Sequence, residues 1–257
     1  MGALMERGLL TGALTLHGRV MPASNATFVG EIEGRRVVYK PVAGERPLWD
    51  FPDGTLAERE EAAYVVSEAL GWGIVPLTFR RDGPHGPGMV QLWQEPDPVQ
   101  EAVTLVRDTD VPEGFRYVFE GLDDRDQVVS LVHEDTPELR RMAVFDAVIN
   151  NADRKGGHVL AMTGGHRYGV DHGLTFHVEH KLRTVLWGWA GELLTDQDRA
   201  SLELLSGRLE GDLGDCLLEL LTPHEVEATR RRVKRLLRVG TLPEPGQGWR
   251  AIPWPPF

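Results

Sequence analysis

The sequence predicts an α+β protein in two lobes, a small β-rich N-lobe over residues 1–94 and a larger, mostly helical C-lobe over residues 95–257. Three observations predict it. A chain of 257 residues is long for one compact domain and can enclose a cleft between two cores. Residues before Glu95 read as short strands around a single helix, and after Glu95 the texture changes to a connector, a hairpin, a helix, short strands and a helical tail. A composition of 41% hydrophobic and 26% charged residues excludes a mainly disordered, collagenous or fibrous chain.

Each element has a local reason. Leu14 to Val20 and Thr27 to Lys40 alternate apolar and polar residues, which predicts a strand, a loop of small residues and a hairpin turning at Glu33-Gly34. From Thr55 to Leu70 the residues Ala62, Ala63, Val65, Val66, Ala69 and Leu70 recur at helical spacing, and Gly71 ends the run. Two apolar runs bounded by Gly and Pro, Ile74 to Arg80 and Gly88 to Trp93, complete a small sheet. Pro96 and Pro98 mark a connector, and Tyr117 to Leu131 reads as a hairpin turning at residues 123–126. Thr136-Pro137 opens a helix reaching about Asn150, with Thr as N-cap and Pro at the first helical position. An irregular loop over 150–157 follows, then strands from about His158 and at Tyr168 to Val170, then a helical tail. Thr222-Pro-His-Glu225 is a capping box for a helix to about Val239, and the prolines after it exclude regular helix.

The formal net charge of −11 repels polyanions and argues against general nucleic-acid binding. Cys216, the single cysteine, cannot form an internal disulfide, which favours a reducing, cytoplasmic setting. Met1 to Leu16 is interrupted by Glu6 and Arg7 and does not read as a signal peptide. Nowhere do eighteen apolar residues run uninterrupted, so no transmembrane segment is expected.

Among 28 basic residues only Lys40, Lys155, Lys181 and Lys234 are lysine. Lys40 ends the strand Val37-Val38-Tyr39, where a compact ammonium on a flexible stem can reach nucleotide phosphates, or simply meet solvent. Glu58, Glu60 and Glu61 follow on the helix; Glu60, at the margin of its small-residue stripe, is the one placed to turn inward and hold a lysine, although an acidic first turn also suits the helix dipole. The densest signal is Asn151-Ala-Asp153-Arg154-Lys-Gly-Gly-His158, followed eighteen residues after Asp153 by Asp171-His172-Gly173. One carboxylate on an irregular loop can accept a hydroxyl proton, and a second after a strand can hold a divalent cation against phosphate oxygens.

In this order the segments resemble the phosphatidylinositol 3- and 4-kinase-like family, most closely its type II phosphatidylinositol 4-kinase branch and bacterial relatives. The resemblance lies in Val38-Tyr39-Lys40-Pro41, Glu60-Glu-Ala-Ala with Ile74-Val75-Pro76, Gln91-Leu92-Trp93, Asn151-Ala-Asp153-Arg154 and Asp171-His-Gly173-Leu-Thr-Phe176, and spans Thr15 to Trp189. It implies a two-lobed protein-kinase-like fold binding ATP with Mg²⁺ or Mn²⁺ between the lobes and moving the γ-phosphoryl to a hydroxyl of an unknown acceptor, whether protein, lipid or small molecule. Residue by residue it implies Lys40 on the phosphates, Glu60 as its partner, Asp153 as catalytic aspartate and Asp171 as metal ligand. Ser24, Asn25 and Thr27 would belong to the phosphate-covering loop, and Gln91, Leu92 and Trp93 to the connector beside the nucleotide. Lys155 in the catalytic loop would steady the transferring group. Two features depart from the family: the phosphate loop has no glycine between Gly18 and Gly30, and His158 stands where a metal-binding asparagine is usual. Imidazole is a poorer Mg²⁺ ligand than oxygen, which opens Mn²⁺ use, a single held metal or lost activity. A nucleotide-binding pseudokinase and an adenylyltransferase on the same scaffold are the alternatives.

The remaining candidates read as structural. His172, His177 and His180 recur at spacings of five and three, which suits neither a helix nor a strand as a metal-hydrolase site. Asp146, on an otherwise apolar helix face, needs a donor such as a backbone N–H or Arg154 and is expected to brace the catalytic loop. The basic run at Arg230 to Arg235 suits a helix C-terminus as well as an anionic lipid surface. Trp187 and Trp189 suit a core or lobe contact.

Overall fold

A computed structural model describes residues 8–21, 25–52, 55–107, 111–123, 125–246 and 250–257. Strands β1 (Thr15–Arg19), β2 (Phe28–Ile32), β3 (Arg35–Pro41), β4 (Thr78–Gly83) and β5 (Gly86–Leu92) form an antiparallel sheet in the order β1-β2-β3-β5-β4. Its register opposes Lys40 to Met89 and Val38 to Gln91, while Val37, Tyr39 and Val90 point the other way into a small core closed by Leu9, Ile32 and Phe79. The two-residue side-chain period of β3 therefore sends Lys40 away from that core.

Helix α1 (Leu56–Leu70) crosses between β3 and β4 and ends at Gly71 in the left-handed conformation, as its pattern predicts. Its buried face, with Ala62, Ala63, Val66 and Leu70, joins the larger core built by α2 (Pro137–Ile149), α3 (Asp196–Leu209), α4 (Asp212–Leu218) and α5 (Pro223–Val239). A buried ion pair reinforces that junction: Arg59 donates to Glu225 at 2.5 Å and to the Thr175 carbonyl at 2.6 Å. Thr55 supplies no side-chain cap to α1. The Glu45 carboxylate does so from outside, accepting the N–H groups of Leu56 (3.2 Å) and Ala57 (3.1 Å). Glu45→Ala is expected to lower the unfolding free energy by about 1 kcal/mol, with Glu45→Gln retaining most of the cap; urea unfolding midpoints of the three proteins check this.

One expectation needs correction. Ile74 to Arg80 is not one strand: β4 starts at Thr78, because Pro76 has no N–H for a ladder and Ile74 and Val75 instead drop into the larger core. The C-terminal region opens with a sheet, β6 (Val103–Arg107), β8 (Val128–Glu134) and β7 (Phe115–Leu122) in that spatial order, of which only the hairpin of β7 and β8 is legible in sequence. The other elements stand where their signals put them. Thr136 caps α2 with Pro137 at its start, α2 closes at Asn150 with φ +55°, and Thr222 and Glu225 form both bonds of a capping box on α5. The short hairpin of β9 (Val159–Ala161) and β10 (Arg167–Gly169) follows the loop at the end of α2. The α+β, two-lobed arrangement is thus present, with a cleft of about 160 Å³ between the five-stranded sheet, α1 and the loops around Asp153 and Asp171. No helix among the described residues is long and apolar enough to cross a membrane.

Candidate active site

Lys40 reaches across the cleft from β3 and donates to Glu60 Oε1 and to Asp171 Oδ1, both at 2.7 Å. Burial alone would depress its pKa, but the Asp171 and Glu60 carboxylates outweigh that and hold the ammonium above its ordinary value. Glu60 is the inward-facing carboxylate of the first turns of α1, whereas Glu58 and Glu61 both turn outward to Arg80. The other Glu60 oxygen accepts the His172 backbone N–H at 2.8 Å, which ties α1 to the segment after β10.

Asp171 sits two residues beyond β10 with φ +62°, a left-handed conformation that costs a non-glycine residue energy and aims its half-exposed carboxylate at the cleft. The Lys40 ammonium holds its pKa well below the usual aspartate range. Its second oxygen lies 3.4 Å from His158 Nε2. The opposite ring nitrogen, His158 Nδ1, is 2.9 Å from the Asp153 carbonyl, which can only accept, so Nδ1 carries the hydrogen. Burial pushes the His158 pKa down to about 4, so near neutrality Nε2 is a bare lone pair facing a carboxylate. Two acceptors pointed at each other are a donor set for a cation, and the residues present fit a divalent metal on that ground.

Asp153 lies on the loop between α2 and β9, with its backbone N–H held by Asn151 Oδ1 at 2.9 Å and its carboxylate 3.4 Å from Lys155 Nζ. Burial raises its pKa, against the pull of Lys155. The loop is organised from below by Asp146 and Arg154, both fully buried. Arg154 gives Nε and Nη2 to the Asp146 oxygens at 3.0 and 2.9 Å, Nη1 to the carbonyls of Val170 and His158, and Nη2 to His172 Nε2 at 2.7 Å. Asn151 adds a bond to Asp146 Oδ1 at 3.0 Å. One guanidinium thereby fixes the Asp153 loop and the Asp171 segment relative to each other, as the sequence expects of Asp146 and Arg154. The terminal segment buttresses the same loop: the Gly156 N–H donates to the Pro256 carbonyl at 2.8 Å, and a Cβ at Gly156 would lie 2.4 Å from the Phe257 ring.

Lys40, Glu60, Asp153 and Asp171 therefore line one cleft, with Lys155 and His158 held behind its wall against Asp153 and Asp171. Asn25 lines it too, and Thr27 donates to the Asn25 carbonyl at 3.4 Å. Ser24 lies outside the described residues. Gln91 and Leu92 end β5 and Trp93 follows; the Gln91 amide donates to Thr78 Oγ1 at 2.9 Å and the Trp93 indole N–H to Glu95 at 3.0 Å, and none of the three is among the residues that line the cleft. The histidine cluster disperses: His172 is buried on Arg154, while His177 packs edge-on to Phe51. No group of three or more His, Cys, Asp or Glu residues with metal-binding geometry exists among the described residues. Sequence reasoning missed Glu45, Arg46 and Arg59, which sit in an irregular loop or on a helix surface with no periodic signal.

No family model matches the chain. Protein Rv2133c of Mycobacterium tuberculosis (strain ATCC 25618 / H37Rv) is 49% identical over 262 residues, covering 97% of this chain and 94% of that protein. The chain belongs to the Rv2133c family. Among solved structures it is similar to the proinflammatory kinase CtkA of Helicobacter pylori, with a TM-score of 0.49 at 10% identity, over 91% of this chain and 94% of that one.

Proposed function

We propose that this protein binds ATP with a divalent cation in the interlobe cleft and transfers the γ-phosphoryl to a hydroxyl, as its resemblance to phosphatidylinositol 3- and 4-kinase-like proteins implies. The observation that carries the reading is the meeting of Lys40, Glu60, Asp171 and Asp153, drawn from both lobes, around one cavity, with His158 beside Asp171. Lys40, oriented by Glu60, binds phosphate oxygens. Asp153 orients the acceptor hydroxyl and takes its proton as the oxygen bonds to the γ-phosphorus, while the electron pair of the breaking P–O bond leaves on ADP. Lys155, beside Asp153, balances charge on the transferring group. Asp171 and His158 Nε2 would hold the cation, which supplies positive charge against the phosphates.

Calorimetric titration with ATP tests the binding half. Wild type is expected to bind ATP only when Mg²⁺ or Mn²⁺ is present, and Asp171→Ala to lose that dependence; equal binding with and without metal would overturn it. Because an imidazole favours later first-row ions over Mg²⁺, wild type is expected to bind ATP more tightly with Mn²⁺ than with Mg²⁺. His158→Asn, which restores an oxygen donor, should narrow or reverse that preference. The same histidine favours a second reading, a nucleotide-binding module without turnover, which predicts metal-dependent ATP binding and no ADP formed under either ion.

A further inference from the structure

We propose that Arg46 is a catalytic residue of this cleft, its guanidinium contacting the γ-phosphoryl of bound ATP. The inference rests on the ATP-transfer reading above. The cleft wall carries Glu45, Glu60, Asp153 and Asp171, and its only cations among the described residues are Lys40 and Arg46. Lys40 is already engaged by two carboxylates at 2.7 Å each. Lys155, just behind the wall, is paired with Asp153. The Arg46 side chain has no hydrogen-bond or ion-pair partner among the described residues, so it is the cation of the wall left to meet an incoming polyanion.

Its backbone is held where such a contact belongs. The Arg46 N–H donates to Asn25 Oδ1 at 2.9 Å, and the Ala26 N–H to the Gly44 carbonyl at 3.1 Å, so Arg46 lies against the loop between β1 and β2 that would cover the phosphates. The approach is close enough that a Cβ on Gly44 would stand 2.4 Å from the Ala26 Cβ. Glu45 is fixed on the α1 N-terminus. Beyond Arg46 the strand of chain is tied to the C-lobe by Asp50, which accepts from Lys181 at 2.5 Å, and by Trp49, whose ring lies 4.8 Å from the Lys181 ammonium. Residues 44–50 are thus a strap pinned to both lobes across the front of the cleft. A guanidinium carried on a fixed strap can form two parallel bonds to a phosphoryl group and stabilise charge that grows on its equatorial oxygens during transfer.

The test compares ATP and ADP binding by calorimetry, and ATP turnover, in the full chain and in Arg46→Ala and Arg46→Lys, with circular dichroism to confirm unchanged folding of this exposed position. Arg46→Ala is expected to weaken ATP about 10-fold or more, leave ADP affinity unchanged and lower kcat about 100-fold. Arg46→Lys should fall between, because an ammonium keeps the charge and loses the fork. Unchanged ATP affinity and kcat in Arg46→Ala, or an equal loss for ATP and ADP, would overturn the assignment and leave the ATP-transfer reading standing. A wild-type protein that binds neither nucleotide would remove that reading and this inference together.

Discussion

Replacing Asp153 with asparagine is expected to slow phosphoryl transfer by about 10²- to 10⁴-fold, the range for loss of a positioned general base, while metal-dependent ATP binding persists. The separation follows from geometry. Asp153 is held by its backbone to Asn151 and its carboxylate approaches Lys155, so it contributes nothing to the grip of Lys40 on Glu60 and Asp171. Asp171→Asn should act differently, weakening metal-dependent ATP binding as well as turnover, since its two oxygens face Lys40 and His158. The pH profile gives a second signature. A base must be ionised, and burial raises the Asp153 pKa, so the rate should rise with pH through a midpoint above that of an ordinary aspartate. Single-turnover kinetics at saturating ATP, with affinity measured separately, check all three statements.

Arg154→Met is expected to cost about 3–5 kcal/mol of unfolding free energy, the penalty for breaking a buried ion pair by removing one partner. Asp146 is fully buried at the end of α2, and the substitution leaves its carboxylate with the Asn151 amide and a long contact to Thr184. The carbonyls of His158 and Val170 and the His172 ring lose their donor as well. Replacing both residues, Asp146→Leu with Arg154→Met, should recover part of the loss, because no unpaired charge then stays in the core. Urea unfolding of the single and double variants measures both terms. An Arg154→Met protein as stable as wild type would show that the pair is not what holds the loop.

Much of the candidate site was legible because regular elements carry it. The alternation of β3 placed Lys40 opposite Val37 and Tyr39, and the small-residue stripe of α1 picked Glu60 out of three glutamates. Asp146 was conspicuous as a charge on an apolar face, and the structure gives it the Arg154 partner that burial demands. What stayed hidden lies in tertiary contacts between distant segments. Arg59 reads as a solvent-facing helical arginine, and Glu225 as half of a capping box, yet 166 positions apart they meet in the core. Glu45 and Arg46 belong to an irregular loop with no period to reveal a face, and only the fold shows that one caps α1 and the other lines the cleft. His172 drew attention as one of three histidines, whereas its ring is an acceptor for Arg154. The short run Val103 to Arg107 gave no strand signal strong enough to announce β6, which is stabilised by its ladder to β8 rather than by its own pattern.

The fate of ATP tests the central claim most directly. Incubated with Mn²⁺ or Mg²⁺ and ATP labelled at the α- and γ-phosphorus in parallel, the protein is expected to form ADP from the α-label and to move the γ-label to a hydroxyl, its own or that of water. Asp153→Asn should slow both about 10²- to 10⁴-fold, and Asp171→Asn should slow both as well. Pyrophosphate with the α-label retained on an acceptor, or intact ATP under both metals, would contradict phosphoryl transfer in this cleft.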